Sequence, residues 1–185
     1  VEQPPPKVLR RAAAGEEQAL EVLVRMFSEP IRSYLERVVG DFGDSQDLTQ
    51  ETFLRMARGL PDFAGKAKFS TWLFQIAKNL GIDHLRRREL DRVPLHRVPE
   101  HAFATAPSAH GMEETELLWA CIGDLDVDLR SALILRDVHG FSYREIAEIV
   151  GATLSTVKWR IYQAREQVQA AYKTAADTGL TVEGL

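Results

Sequence analysis

The chain has 185 residues, 45% of them hydrophobic and 27% charged, with a formal net charge of −4. That is the profile of a soluble globular protein of one large or two small domains. Its apolar runs are too short to span a bilayer, VEQPPPKVLRR lacks the apolar core of a secretory signal, and a lone cysteine rules out an internal disulfide or a cysteine-rich zinc site. A cytoplasmic protein with no membrane insertion is therefore expected, with Cys121 a buried thiol in LLWACIGDL.

The charge is segregated. Glu16 to Asp62 holds ten acids against five bases, whereas His84 to Arg97 holds five arginines against Glu89 and Asp91. Leu154 to Tyr172 is again basic, with Lys158, Arg160 and Arg165 against Glu166. An acidic N-terminal part and two separate basic helices suggest one protein partner and two nucleic-acid contacts.

In chain order, Pro4-Pro5-Pro6 closes a disordered lead over residues 1–7. Helical period begins near Val8, and Leu20, Leu23, Val24 and Phe27 form an apolar stripe. Pro30 fits the first turn of a further helix with Tyr34, Leu35, Val38 and Val39 inside, closed by Gly40. Asp44 or Ser45 caps a helix to about Arg58, with Leu48, Phe53, Leu54 and Met56 among its apolar residues. A loop, LPDFAGKAKF, follows, and Ser70 or Thr71 caps the next helix, to about Leu90. On it Leu73, Ile76, Ala77 and Leu80 form a core stripe, while Trp72, Gln75, Asn79, Asp83 and Arg86 line another face. Arg86, Arg87 and Arg88 at its end either contact nucleic acid or complement the helix dipole.

Residues 93–112 read as an extended linker, and His96, His101 and His110 there match no metal-ligand spacing. Helical pattern resumes with Leu117, Leu118, Ala120 and Cys121, then with Leu133, Ile134, Leu135 and Val138, ended by Gly140. Ser142 caps a helix carrying Ile146, Ala147, Ile149 and Val150, which Gly151 stops. Thr153 or Ser155 caps the last helix, to about Tyr172, with a fraying tail after it. On that helix Val157, Ile161, Ala164 and Val168 share one side; Lys158, Trp159, Tyr162 and Gln163 share the other, flanked by Arg160 and Arg165. This is the layout of a helix-turn-helix whose second helix enters a DNA groove. No strand-like alternation occurs, so the fold is expected to be all-α: two small helical domains, residues 8–92 and 113–173, with a tail over 174–185.

Three blocks, DSQDLTQETFLRM, FAGKAKFSTWLFQIAKNLGIDHLRR and GFSYREIAEIVGATLSTVKWRIYQAR, resemble regions 2 and 4 of bacterial sigma factors of the sigma-70 family. The short chain, with only a linker between the blocks, resembles the extracytoplasmic-function type, group IV. The resemblance implies that residues 8–92 bind core RNA polymerase and read and melt the −10 element. It implies that residues 113–173 read the −35 element as duplex. Asp47, Gln50, Glu51 and Phe53 would contact the polymerase, chiefly its β′ clamp, with the β subunit as a further partner. Phe63, Phe69, Trp72, Lys78, Asn79, Asp83, Arg86, Arg87 and Arg88 would serve the single-stranded −10 element, where unstacked bases need aromatic or amide groups and phosphates need cations. Arg144, Ser155, Thr156, Lys158, Trp159, Arg160, Tyr162, Gln163 and Arg165 would serve the −35 duplex; Lys pairs with guanine O6 and N7, Gln with adenine N6 and N7. An anti-sigma factor is a further implied partner. The chain departs from the family's pattern at Thr153 and Ser155, where Pro and Gly are frequent, at Trp159, where serine is common, and at Asp126, where proline is frequent.

A stand-alone helix-turn-helix regulator would use the same last helix, but leaves the DLTQETF block and the Trp72 to Arg88 face unexplained. An enzyme is disfavoured, since no glycine-rich phosphate loop, metal-ligand set or nucleophile–base pair is present in the sequence. No catalytic residue, metal or cofactor is expected.

Overall fold

A computed structural model describes residues 2–91 and 114–182. Eight α-helices follow one another among these residues, with no strand: α1 (Pro6–Ala13), α2 (Glu17–Val39), α3 (Phe42–Gly59), α4 (Phe69–Asp91), α5 (Glu114–Gly123), α6 (Val127–Leu133), α7 (Tyr143–Val150) and α8 (Leu154–Val182). A 3₁₀ turn, Leu60–Asp62, follows α3, and a π turn, Ile134–Val138, continues α6. No helix among the described residues is long and apolar enough to cross a membrane. The expected linker with its three histidines lies outside the described residues.

Residues 2–7 do not form the expected disordered lead. Pro4 is buried, α1 starts at Pro6, and the Gln3 side chain reaches the start of α4, accepting from Ser70 N and donating to Ser70 Oγ. Ser70 and Thr71 are accordingly buried residues inside α4.

Pro30 begins no new helix; it lies within α2. A mid-helix proline costs about 3 kcal/mol through the lost N–H and the ring's clash with the preceding turn. Here Leu23, Phe27, Ile31, Tyr34, Leu35 and Val38 are all essentially buried along one continuous stripe. Burying such side chains is worth about 1.5–3 kcal/mol each, so the stripe outweighs the proline. Two helix ends also differ from expectation. Asp41, not Asp44 or Ser45, caps α3, its Oδ1 accepting from Asp44 N at 2.9 Å. The last helix does not fray after Tyr172 but continues to Val182, with Ala175 buried.

α1 to α4 make one lobe and α5 to α8 the other. The lobes are not held apart. α4 packs along α7, and α2 packs on α6 and the π turn, so one hydrophobic core runs through both. At the seam Phe74 stacks edge-on against Phe141 (4.8 Å between centroids) and His139 (5.1 Å), and Tyr34 Oη shares a 2.7 Å hydrogen bond with Ser131 Oγ. The Arg37 guanidinium lies 4.0 Å over the Trp119 ring.

Candidate nucleic-acid interface

Ser45, Thr52 and Met56 bury one side of α3 in the first lobe. Asp47 and Gln50 are exposed on the other side, together with Leu54, which stands at i+7 and i+4 from them. Leu54 is 52% exposed, although the sequence alone groups it with the apolar residues of this helix. It lies off the Leu48–Thr52–Met56 row, and that register was the available signal. Glu51 pairs with Arg55 at 2.8 Å, and Phe53 is half-buried against the core. The expected polymerase set is thus an outer acidic-amide face with an apolar neighbour, plus one residue turned inward.

The expected −10 residues divide into three groups. Phe63, Phe69 and Trp72 form an aromatic cluster, with centroids 5.0–6.0 Å apart. Phe69 is a core residue, 2% exposed and packed edge-on against Phe27. Trp72 covers Gly59, where an added Cβ would come within 3.1 Å of the indole. Only Phe63 and Trp72 keep partial exposure. Asn79, Asp83 and Arg86 share an exposed face of α4, with Gln75 one turn before Asn79 and Arg87 also open. Arg88 and Lys78 are engaged elsewhere. Arg88 and His84 both reach Asp44 Oδ2, at 3.4 and 3.0 Å, tying the end of α4 to the start of α3. Lys78 faces the second lobe, where burial and then Arg160 push its ammonium pKa down against the pull of Asp128.

The helix-turn-helix forms as its caps dictate. Ser142 Oγ accepts from Glu145 N (3.3 Å) while Glu145 Oε2 accepts from Ser142 N (2.8 Å), a complete capping box. Gly151 turns the chain at φ +67°, where a Cβ is disfavoured. Thr153 Oγ1 then accepts from Thr156 N at 3.2 Å and meets the Ser155 and Thr156 hydroxyls at 2.9 and 2.8 Å. The stripe Val157, Ile161, Ala164 and Val168 is buried, which turns Lys158, Trp159 (58% exposed) and Tyr162 (59% exposed) outward. Ser155 and Arg144 are exposed, and Thr156 and Gln163 half-buried. Arg160 and Arg165 are held within the lobe: Arg160 donates to Asp128 at 2.5 Å, and Arg165 forks onto Asp137 at 2.6 and 3.1 Å.

Nothing in the sequence marks Lys68 and Glu145 as partners. Lys68, just before α4, donates to Glu145 Oε1 at 2.8 Å across the seam. Burial alone would raise the Glu145 carboxyl, but the hydrogen bonds from Lys68 and Ser142 outweigh it and hold its pKa at about 2. No cluster of three or more His, Cys, Asp or Glu side chains suited to a metal exists among the described residues.

Comparison with known proteins gives a consistent set. A family model described as sigma-70 region 2 matches residues 23–90, and one described as sigma-70, region 4 matches residues 115–168. The chain is 33% identical over 160 residues to the probable RNA polymerase sigma-C factor of Mycobacterium bovis, covering 86% of each. It is 31% identical to the RNA polymerase sigma-H factor of Pseudomonas aeruginosa, covering 89% of this chain and 92% of that one. Among solved structures it is similar to CnrH in complex with the cytosolic domain of CnrY (TM-score 0.70, 25% identity, 90% of this chain and 96% of that). It is also similar to the sigma factor RpoE in complex with the anti-sigma factor NepR from Bartonella quintana (TM-score 0.66, 25% identity, 83% and 96%).

Proposed function

Since the chain belongs to the sigma-70 family of RNA polymerase sigma factors, of the extracytoplasmic-function type, we propose how its surfaces divide the work of promoter-directed initiation. The family is one of initiation factors without catalytic activity, so the whole task is binding and discrimination. It works in the cytoplasm, beside the polymerase.

The exposed Asp47–Gln50–Leu54 face of α3, with Glu51 beside it, grips the β′ clamp of core polymerase, and Phe53 fixes the helix from below. The β subunit is the second polymerase contact. Exposed Asn79, Asp83, Arg86 and Arg87 on α4 meet the non-template strand of the −10 element, the amide reading base edges and the guanidinium groups neutralising phosphates. Phe63 and Trp72 offer the faces on which an unstacked base rests, and Phe69 supports them from the core. In the second lobe Lys158, Trp159, Tyr162 and Gln163 enter the −35 major groove, with the hydroxyls of Ser155 and Thr156 and the guanidinium of Arg144 on the phosphates. Arg160 and Arg165 brace the recognition helix from its flanks through Asp128 and Asp137. An anti-sigma factor is a regulatory partner, in line with the complexes of the solved relatives.

The observation that carries this reading is that one chain exposes two separate faces bearing cations and amide or aromatic groups, on α4 and α8, besides the acidic-amide face of α3. A stand-alone regulator needs only the second of them. Run-off transcription with purified core polymerase and a promoter pool tests the reading: specific transcripts dependent on the chain are expected. A chain that neither binds core nor directs initiation defeats it.

A further inference from the structure

The outward side of α8 is led by an indole rather than by a cation. Val157, Ile161, Ala164 and Val168 are buried, and at about 100° per residue Trp159 stands roughly 170° from the middle of that stripe. Lys158 stands only about 90° from it, and half-buried Gln163 roughly 130° on the other flank. Trp159 and Tyr162, one turn later, are both more than half exposed although the lobes are packed together. Among the described residues, none makes a ring contact, a cation stack or a side-chain hydrogen bond with the indole.

A helical side chain leans toward the N-terminus of its helix, so Trp159 is directed at the first turn of α8, where Ser155 stands four residues before it. That turn is fixed by Thr153 Oγ1, which accepts from Thr156 N at 3.2 Å and meets the Ser155 hydroxyl at 2.9 Å. The opening turns of a recognition helix are the part that meets base edges. The largest apolar group on this helix is therefore presented where bases are read.

An indole offers an apolar surface and one N–H donor, with no acceptor. In the major groove adenine shows its N6 donor and cytosine its N4 donor, and either would lose water against the ring without gaining a partner. Guanine shows the acceptors N7 and O6, which suit lysine or arginine and leave the ring surface unmatched. Thymine shows a C5-methyl group beside the O4 acceptor, and no other base presents an apolar group there.

We propose that Trp159 is a specificity residue of this chain: its indole packs on the C5-methyl of a thymine in the −35 duplex and selects thymine at that base pair. This rests on the reading of α8 as the −35 reader. Lys158 and Gln163, on either flank, address the neighbouring base pairs. The serine common at this position in the family lacks the apolar surface, so the thymine is a preference of this chain.

The test uses full-length chain without polymerase at low salt, since the outward side of α8 is open while the lobes are packed. Duplexes are selected from a randomised pool, and each recurring thymine is replaced in turn by deoxyuridine, which lacks only the methyl. At one position the replacement should weaken binding about fourfold, the worth of one buried methyl carbon. Trp159→Ser should bind the thymine and uridine duplexes alike, and Trp159→Phe should keep part of the difference. 5-Methylcytosine at that position should bind more tightly than cytosine to the wild type and equally to Trp159→Ser. Circular dichroism and Tm should be unchanged in both variants, because the side chain is exposed. A pool without a recurring thymine, uridine duplexes bound as tightly as thymine ones throughout, or a difference that survives in Trp159→Ser overturns the proposal. A chain that shows the thymine dependence but fails in run-off transcription loses the sigma-factor reading alone. One that directs initiation but ignores the methyl loses only the role of Trp159.

Discussion

Tyr34 on α2 and Ser131 on α6, 97 residues apart in sequence, share a 2.7 Å hydrogen bond with no access to water. Burial pushes the Tyr34 phenol well above its ordinary pKa, against the Ser131 hydrogen bond, so it stays neutral at any working pH. Tyr34→Phe leaves the serine hydroxyl unpaired and should destabilise the chain by about 1–3 kcal/mol in urea unfolding. Adding Ser131→Ala should recover part of that loss, because no orphaned hydroxyl remains. Strict additivity of the two in a double-mutant cycle would mean that the lobes do not dock through this pair.

Acid should loosen the seam. Burial, then the charge of Arg37, depresses the His139 imidazole from its ordinary 6.5 to about 4. A depressed pKa means that the unfolded chain binds the proton more readily than the folded one. The seam is therefore at full strength above about 6.5 and weakens as pH falls toward 4. Glu145, held at about 2 from an ordinary 4.5, acts in the same direction lower down, with its pairing to Lys68 lost between those values. The titratable and charged groups concerned are Arg37 from α2, Lys68 before α4, and His139 and Glu145 from the second lobe. Urea unfolding repeated from pH 8 to 4.5 should show stability falling below about 6.5. His139→Phe should flatten that response; a wild-type profile in the variant would clear His139 of the role.

Lys158→Ala should change the order of preference among −35 sequences, by about 1–3 kcal/mol at one base pair, and leave thermal stability within about ±0.5 kcal/mol. The side chain is exposed and no hydrogen bond or ion pair is formed by it within the described fold. Binding of a fragment library by reconstituted holoenzyme reads it out. Uniform weakening across all sequences would make Lys158 a phosphate contact instead.

Asn79→Ala should slow promoter opening more than it weakens −35 docking, since Asn79 is exposed on α4 and is not part of the recognition helix α8. Permanganate footprinting of unpaired thymines against filter binding separates the two. Equal losses would remove Asn79 from the melting face.

Asp47→Ala with Gln50→Ala should weaken core binding about tenfold or more without altering the helical content of the free chain, because neither side chain is buried. Leu54→Ser should act alike: at 52% exposure it contributes little to the fold and offers an apolar contact beside them. Pull-down with core polymerase measures both.

Much of the fold was readable from local chemistry. The Ser142 cap, the left-handed Gly151, the Thr153 cap and the buried stripe of α8 are each set by residues near in sequence, and each formed as expected. Where expectation failed, the deciding partner was distant. Pro30 stays inside α2 because a long stripe on both sides of it is buried, and Ser70 is no cap because Gln3 reaches it from the other end of the lobe.

The sequence by itself determined the all-α class, the order of the blocks and the family, because periodicity, caps and motif spacing are properties of neighbouring residues. Only the tertiary structure decided that Phe69 is core, that Arg88, Arg160 and Arg165 are tied to Asp44, Asp128 and Asp137, and that the lobes close on each other. Those outcomes depend on which surfaces meet. Tyr34, Phe74, Phe141 and His139 read as ordinary residues until burial against one another makes them a seam.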